Sequence, residues 1–321
     1  VAALALLGAA VAAAPAAASC GAEKCVLDLF GPEMSLKPYS LEISYQSVDQ
    51  DDVRVGTDPG TVGEIPSTHN EIATQTQSWN VNGRARVSEW LAFSATLPFL
   101  DRMHRHEHEH HPGFYEVQEW NYSGVGDLMV TGSLTPGGQP APGRTSVALQ
   151  LGVKAPTGKT EVEEVDGDQP EPPARPGTGS WDGVAGVQVR RPFGTRTLDG
   201  DAIPMTFSIG VLGRVNGTGT EDYRIGNEFQ VNAAGGWALT TQVALLAQVN
   251  SVWRAKDDVG ETDSDPDNTG GTAVYATPGM MVNVGPALAV YGYAQVRLYE
   301  RVNGIQITAP FHLMIGTRYG F

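Results

Sequence analysis

Along most of the chain, apolar and polar residues alternate with a period of two, the repeat of an extended strand whose faces meet different surroundings. Leu91, Phe93, Ala95, Leu97 and Phe99 share one face, as do Val147, Leu149, Leu151 and Val153. Val243, Leu245, Ala247 and Val249 repeat the pattern, followed by Leu288, Val290, Ala294, Val296 and Leu298. The opposite faces carry Gln, Asn, Tyr, Ser, Thr, Lys and Arg. The pattern predicts strands near 38–50, 70–86, 89–101, 122–135, 144–156, 180–192, 203–216, 222–235, 239–254, 271–284, 286–300 and 304–321. Each is near or above the ~9–11 residues that a tilted strand needs to cross a bilayer. Strand 70–86, with its Thr/Gln/Asn run, shows no clear lipid face.

The connections between these strands form two interleaved sets. Ser88-Glu89, Gly137 to Gly143, Gly235-Gly236-Trp237 and Val284-Gly285-Pro286 are short, whereas 51–69, 102–121, 157–179 and 255–270 are long and polar. Short turns at one end and long loops at the other are the pattern of an outer-membrane barrel. Two connections depart from it. The one from Pro192 to Ile203 is long for its side, and Val302-Asn303-Gly304 is short for its side, with Asn303-Gly304 a hairpin signal.

The final stretch, Gly304 to Phe321, places Phe311, Leu313, Ile315, Thr317, Tyr319 and Phe321 on one face and His312, Met314, Gly316, Arg318 and Gly320 on the other. A terminal Phe after such an alternation resembles the C-terminal signature of bacterial outer-membrane barrels, and makes the barrel assembly machinery an expected partner through Phe321. The strand is expected to pair with both 38–50 and 286–300, so that no sheet edge meets lipid. The fold class expected is all-β: a transmembrane antiparallel up-and-down β-barrel of about twelve strands over 38–321, in the outer membrane of a Gram-negative-type bacterium. A soluble β-sandwich also alternates, but its strands are commonly shorter and its polar face meets bulk water.

Residues 1–19, VAALALLGAAVAAAPAAAS, read as the apolar core and A-x-A cleavage region of a signal peptide whose Met and basic start are missing, so an N-terminally truncated chain is expected. A buried Ala-rich helix is the other reading. Residues 20–37 are then a periplasmic segment carrying Cys20 and Cys25, for which a short-loop disulfide is favoured over a lipidated Cys20. The net charge of −15 argues against nucleic acid as a partner. Its acid is concentrated between Glu161 and Glu171 and between Asp257 and Asp267, so it describes loops more than the barrel surface.

Reading the polar face of each strand gives Lys154, Arg190, Arg214, Arg224, Arg254, Arg297, Arg318 and His312 against Glu42, Glu71 and Glu228. A lumen lined this way would favour small anions. Equally, the bases could pair with the internal carboxylates and fill a small barrel. The tract His104-Arg105-His106-Glu107-His108-Glu109-His110-His111 falls in a predicted loop; extended, it sets His104, His106, His108 and His110 on one face. That loop reads either as a surface site for Cu or Zn, with His111 contributing, or as a solvated polar loop. Asp263, Asp265 and Asp267 alternate as calcium ligands do, without the Gly and Glu of an EF-hand. No G-x-S-x-G turn activates Ser208 or Ser251, and Val153 stands where a phosphate loop before Gly158-Lys159-Thr160 needs Gly, so an enzyme is not expected.

Three short blocks carry a family resemblance: Gly124-Val125-Gly126-Asp127-Leu128; Leu151-Gly152-Val153-Lys154 running into Pro156-Thr157-Gly158-Lys159; and Pro176-Gly177-Thr178-Gly179-Ser180 with Asp182. Together they resemble the outer-membrane family labelled "putative MetA-pathway of phenol degradation". The tract Leu97-Pro98-Phe99 before Arg102 and the pair Cys20 and Cys25 are similar to some members. The resemblance implies a porin- or transporter-like barrel associated by name with export or uptake of aromatic compounds, and brings no catalytic residues with it; with the cationic lumen read above, the solutes expected are small and anionic or aromatic.

Overall fold

The period-two pattern becomes a run of strands whose order in the sheet follows their order in the chain. In this computed structural model, which describes residues 37–65, 69–111, 114–138, 144–163, 165, 169–198, 201–262 and 264–321, the first wall strand is β1 (Tyr39–Gln50). Two short strands, β2 (Asp52–Val55) and β3 (Asp58–Pro59), follow it outside the wall. The wall continues through β4 (His69–Arg86), β5 (Leu91–His111), β6 (Phe114–Val125), β7 (Leu128–Leu134), β8 (Ser146–Ala155), β9 (Asp182–Leu198) and β10 (Asp201–Val215). It is completed by β11 (Glu228–Ala238), β12 (Val243–Arg254), β13 (Gly271–Asn283), β14 (Leu288–Val302), the short β15 (Ile305–Thr308) and β16 (Phe311–Gly320). The expected signal peptide, Cys20 and Cys25 lie outside the described residues.

All wall pairings are antiparallel. As the sequence predicts, β16 pairs with β14 on one side and with β1 on the other, and β4 joins β1 to β5, so the sheet closes on itself. β5 pairs with β7 through Leu91–Thr96 and with β6 from Phe99 onward, which makes β6 and β7 two halves of one stave. The thirteen strands of the sheet therefore form a closed barrel of twelve staves.

Outward residues at mid-height are apolar and exposed: Val147, Leu149 and Leu151 on β8, Ile209 and Val211 on β10, Leu313 and Ile315 on β16. Such a continuous band is untenable in water and is what lipid selects. Exposed aromatics mark its two edges. Tyr39, Trp90, Trp237, Tyr319 and Phe321 ring the short-turn end, while Trp79, Phe99, Phe229 and Phe311 stand at the other. The missing lipid face of residues 70–86 is thereby explained, since only Trp79 to Arg86 pair with the belt-height segment Ala92–Phe99, and Gln75 and Gln77 lie above it.

Four expectations need correction. Residues 102–121 are not a loop: β5 and β6 continue as a hairpin above the belt, outward Asp101, Glu119 and Asn121 being polar because water, not lipid, meets them. The segment 192–203 is not a long connection either, because β9 runs to Leu198 and β10 resumes at Asp201. Residues 304–321 do not form one strand. They break before Pro310, which has no N–H for a ladder, and β15 turns to pair with β2 in a three-stranded sheet at the barrel mouth. Finally, β11 starts at Glu228, so 222–227 belong to a loop. Leu298 sits at a bulge, Tyr275 facing Arg297 while Val274 faces Tyr299, and is exposed as Val296 is, as the alternation predicts.

Candidate functional site

The three sequence blocks quoted above meet in one buried knot. Gly126 and Asp127 interrupt the stave between β6 and β7, and the Asp127 carboxylate accepts backbone N–H groups from Gly158 at 2.9 Å and Thr178 at 3.1 Å. The two ends of the long 156–181 loop are thus tied to one carboxylate. Backbone bonds run from Lys159 N to Val125 O and from Gly177 N to Lys159 O, extending the sheet over the stave break. The glycines are required by proximity: a Cβ on Gly158 would stand 2.7 Å from Gly177 Cα and 2.8 Å from the Gly126 carbonyl carbon.

Beside it, Lys154 lies 2.7 Å from Asp127 and 3.1 Å from Asp182, and Arg214 lies 2.6 Å from Asp182. Thr178 and Ser180 hydroxyls complete the shell around the lysine. Two cations and two anions, all buried, balance each other. Lys154 and Arg214 are therefore spent on holding the loop rather than facing a pore. The loop's middle reaches across the mouth, where Arg102 donates from Nε to Thr76 and from Nη1 to the carbonyl of Ala174, which Tyr122 also engages.

The other predicted lumen bases divide. Arg254 pairs with Asp257, and Arg297 with Asp52 and Glu300, so both brace the mouth. Arg224 lies outside the strands, exposed, 3.1 Å from Asp258. His312 is buried on the inner face with its ring 5.4 Å from that of Tyr275. Arg190 and Arg318 remain in the lumen near the short-turn end, and the sequence reading missed their neighbours. Arg84 and Arg86 of β4 point inward, and Arg84 interacts electrostatically with Arg86, Arg190 and Arg318. Glu42 is the acid set against them, paired with Arg318 and accepting from Tyr291 at 2.8 Å. Tyr291 and Tyr293 pack beside it, with the Arg318 guanidinium 6.0 Å from the Tyr291 ring centre. The signal for Arg84 and Arg86 was present in the period of β4, whose inward set is Asn80, Asn82, Arg84 and Arg86, opposite Ser44, Glu42 and Ser40 for the first three.

The histidine tract is extended strand, and its His104 and His106 side chains turn inward. His104 Nδ1 is 2.8 Å from Thr74 Oγ1, and His106 Nε2 is 3.0 Å from Gln118 Oε1. Both rings pack on buried Trp120. The side chains of His108, His110 and His111 lie outside the described residues. Among the described residues no group of three or more metal-ligating side chains comes together, and His104 and His106 are buried where the sequence reading had them on an exposed loop. Asp265 caps its own turn through Asp267 N and Asn268, and Asp267 binds Lys256; Asp263 lies outside the described residues.

A family model described as "Putative MetA-pathway of phenol degradation" matches residues 67–306. Among solved structures, the chain is similar to an outer membrane channel from Pseudomonas putida F1, with 12% identity, a TM-score of 0.58, and 89% of this chain and 96% of that one covered. It is also similar to the transport unit of the autotransporter AIDA-I from Escherichia coli, with 10% identity, a TM-score of 0.54, and coverage of 92% and 94%. No curated protein matches the chain.

Proposed function

Because the chain belongs to the family described as "Putative MetA-pathway of phenol degradation", we propose that it is an outer-membrane channel for small anionic solutes, aromatic carboxylates among them. One observation carries this reading. Inside a closed barrel with a lipid-facing belt, Arg84, Arg86, Arg190 and Arg318 gather in the lumen beside tyrosines, with Glu42 as the acid between them. An arginine cluster lowers the energy of an anion that has shed part of its water, and a guanidinium fork matches a carboxylate in shape. Tyr291 and Tyr293 supply flat apolar surface next to that charge, which suits an aromatic ring. The phenol in the family's description agrees with this pairing of aromatic surface and positive charge.

In this reading the 156–181 loop narrows the mouth and the knot at Asp127 sets how far it opens. The signal peptide, the periplasmic segment before β1 and recognition of Phe321 by the assembly machinery belong to the same proposal. Liposome swelling tests it with solutes of matched size. Benzoate should enter faster than benzylamine, and Arg84→Gln with Arg190→Gln should erase the difference. Equal entry of both in the unaltered protein would remove the anion preference.

A further inference from the structure

At the other end of the barrel from the arginine cluster, a cavity of about 90 Å³ lies between the mouth sheet, the upper ends of the staves and the 156–181 loop. Its wall is part apolar, from Val53, Pro173, Ile305 and Ile307, and part polar. Four of the polar side chains, each more than nine-tenths buried, present an atom to which no other described residue bonds: Arg102 Nη2, Asn70 Oδ1, Gln306 Oε1 and Ser264 Oγ. A buried polar atom left unmet forfeits its hydrogen bond to water without replacement, so four around one space point to something that fills it.

The chemistry of the occupant follows from what these atoms offer. Arg102 has already committed Nε to Thr76 Oγ1 and Nη1 to the loop carbonyls, leaving Nη2 as a charged donor that wants an acceptor. Gln306 gives its Nε2 to the carbonyls of Gly270 at 2.8 Å and Asn303 at 2.9 Å, which fixes the amide orientation and makes Oε1 an acceptor. Asn70 Oδ1 is a second acceptor, and the Ser264 hydroxyl serves either way. Of the carboxylates lining the cavity, Asp257 holds Arg254, Tyr223 and Gly226 N, Asp265 caps its turn, and Glu171 interacts electrostatically with Tyr223. Burial pushes the Glu71 carboxyl above its usual range, against the backbone of Ile307 and the charge of Arg254.

We propose that this mouth cavity is a binding site for a small hydroxycarboxylate, whose carboxylate meets Arg102 and whose hydroxyls donate to Asn70 and Gln306. Water alone could also fill a polar cavity of this size, and the test separates the two. The site is distinct from the lumen cluster and does not depend on conduction, so binding is read at equilibrium. Isothermal titration of the detergent-solubilised full chain with glycerate is compared with propionate, which lacks the hydroxyls, and with glycerol, which lacks the carboxylate. Glycerate should bind at least tenfold more tightly than either. Ser264→Ala and Asn70→Ala, which remove cavity-facing atoms and leave the Arg102 anchor to the loop intact, should each weaken it several-fold. No heat with glycerate in the folded protein, binding equal to that of propionate, or binding unchanged in both variants would overturn the proposal.

Discussion

Gly158 and Gly177 stand backbone against backbone, so close that a Cβ on Gly177 would lie 2.5 Å from the Gly158 carbonyl carbon. These residues open and close a loop of about twenty residues, and their contact converts a long surface connection into a strap anchored at both ends. Gly177→Ala should therefore cost about 1–3 kcal/mol through overpacking against main chain that cannot yield. The expected readout is faster protease cleavage within 156–181 while the barrel keeps its heat-modifiable mobility on gels. Unchanged cleavage would show that the strap does not depend on this contact.

The ion quartet beside those glycines should respond differently from an ion pair in water. Lys154→Met leaves Asp127 and Asp182 buried without their shared cation, and loss of one partner in such a site costs about 3–5 kcal/mol. Arg105→Ala removes an exposed partner of Glu119, at 3.4 Å, and should cost ~1 kcal/mol or less. Denaturant midpoints in the same detergent compare the two variants directly.

Asp52 links the mouth sheet to the wall through Arg297 of β14 at 2.5 Å, and also accepts from Arg54 of its own strand at 3.0 Å. Burial raises its pKa, but the hydrogen bonds and charges of Arg297 and Arg54 outweigh that, and its carboxyl sits below the usual value. A depressed folded pKa contributes stability that is present above the unfolded value of about 3.9 and is lost as pH falls through the folded value. Amides of Ile305 to Thr308 should keep their hydrogen-exchange protection at pH 5 and lose it in stronger acid, after correction for intrinsic rates. Arg297→Met should be less protected at pH 5 and should flatten that dependence.

Phe321 stacks on Tyr39 with ring centres 5.9 Å apart and on Tyr319 at 6.1 Å, at the seam where Tyr39 N donates to Phe321 O. Deleting it should reduce the yield of folded barrel in the outer membrane several-fold while leaving the solute preference of the inserted fraction unchanged. Normal insertion of the deletion variant would argue against a role for the terminal ring in assembly.

The barrel was legible because lipid outside and polar groups inside impose a period of two on each stave, and Leu149 or Ile315 obeys it regardless of tertiary detail. Where the environment changed along a strand, the pattern lost meaning. Above the belt the β5–β6 hairpin mixes polar and apolar residues on both faces, Glu119 and Asn121 beside Val117 outside and Gln118 beside Trp120 inside, so Arg102 to Asn121 read as a loop, and His104 and His106 read as exposed when they pack on Trp120. The inward positions of bases such as Arg190 and Arg318 were legible in each strand's period, but their pairing was not. Lys154, Asp127 and Asp182 are brought together by the strap, a contact no local spacing reveals. Arg84 and Arg86 were hidden by the same polar run that obscured the lipid face of β4.

Single-channel recording in planar bilayers, with a salt gradient across the membrane, tests the central claim most directly. The unaltered protein should give small unitary currents whose reversal potential shows anion preference. Arg84→Gln with Arg190→Gln should move that potential toward zero, and Gly177→Ala should enlarge the currents by loosening the strap. Cation preference in the unaltered protein, or absence of current from both it and the Gly177→Ala variant, would contradict the account.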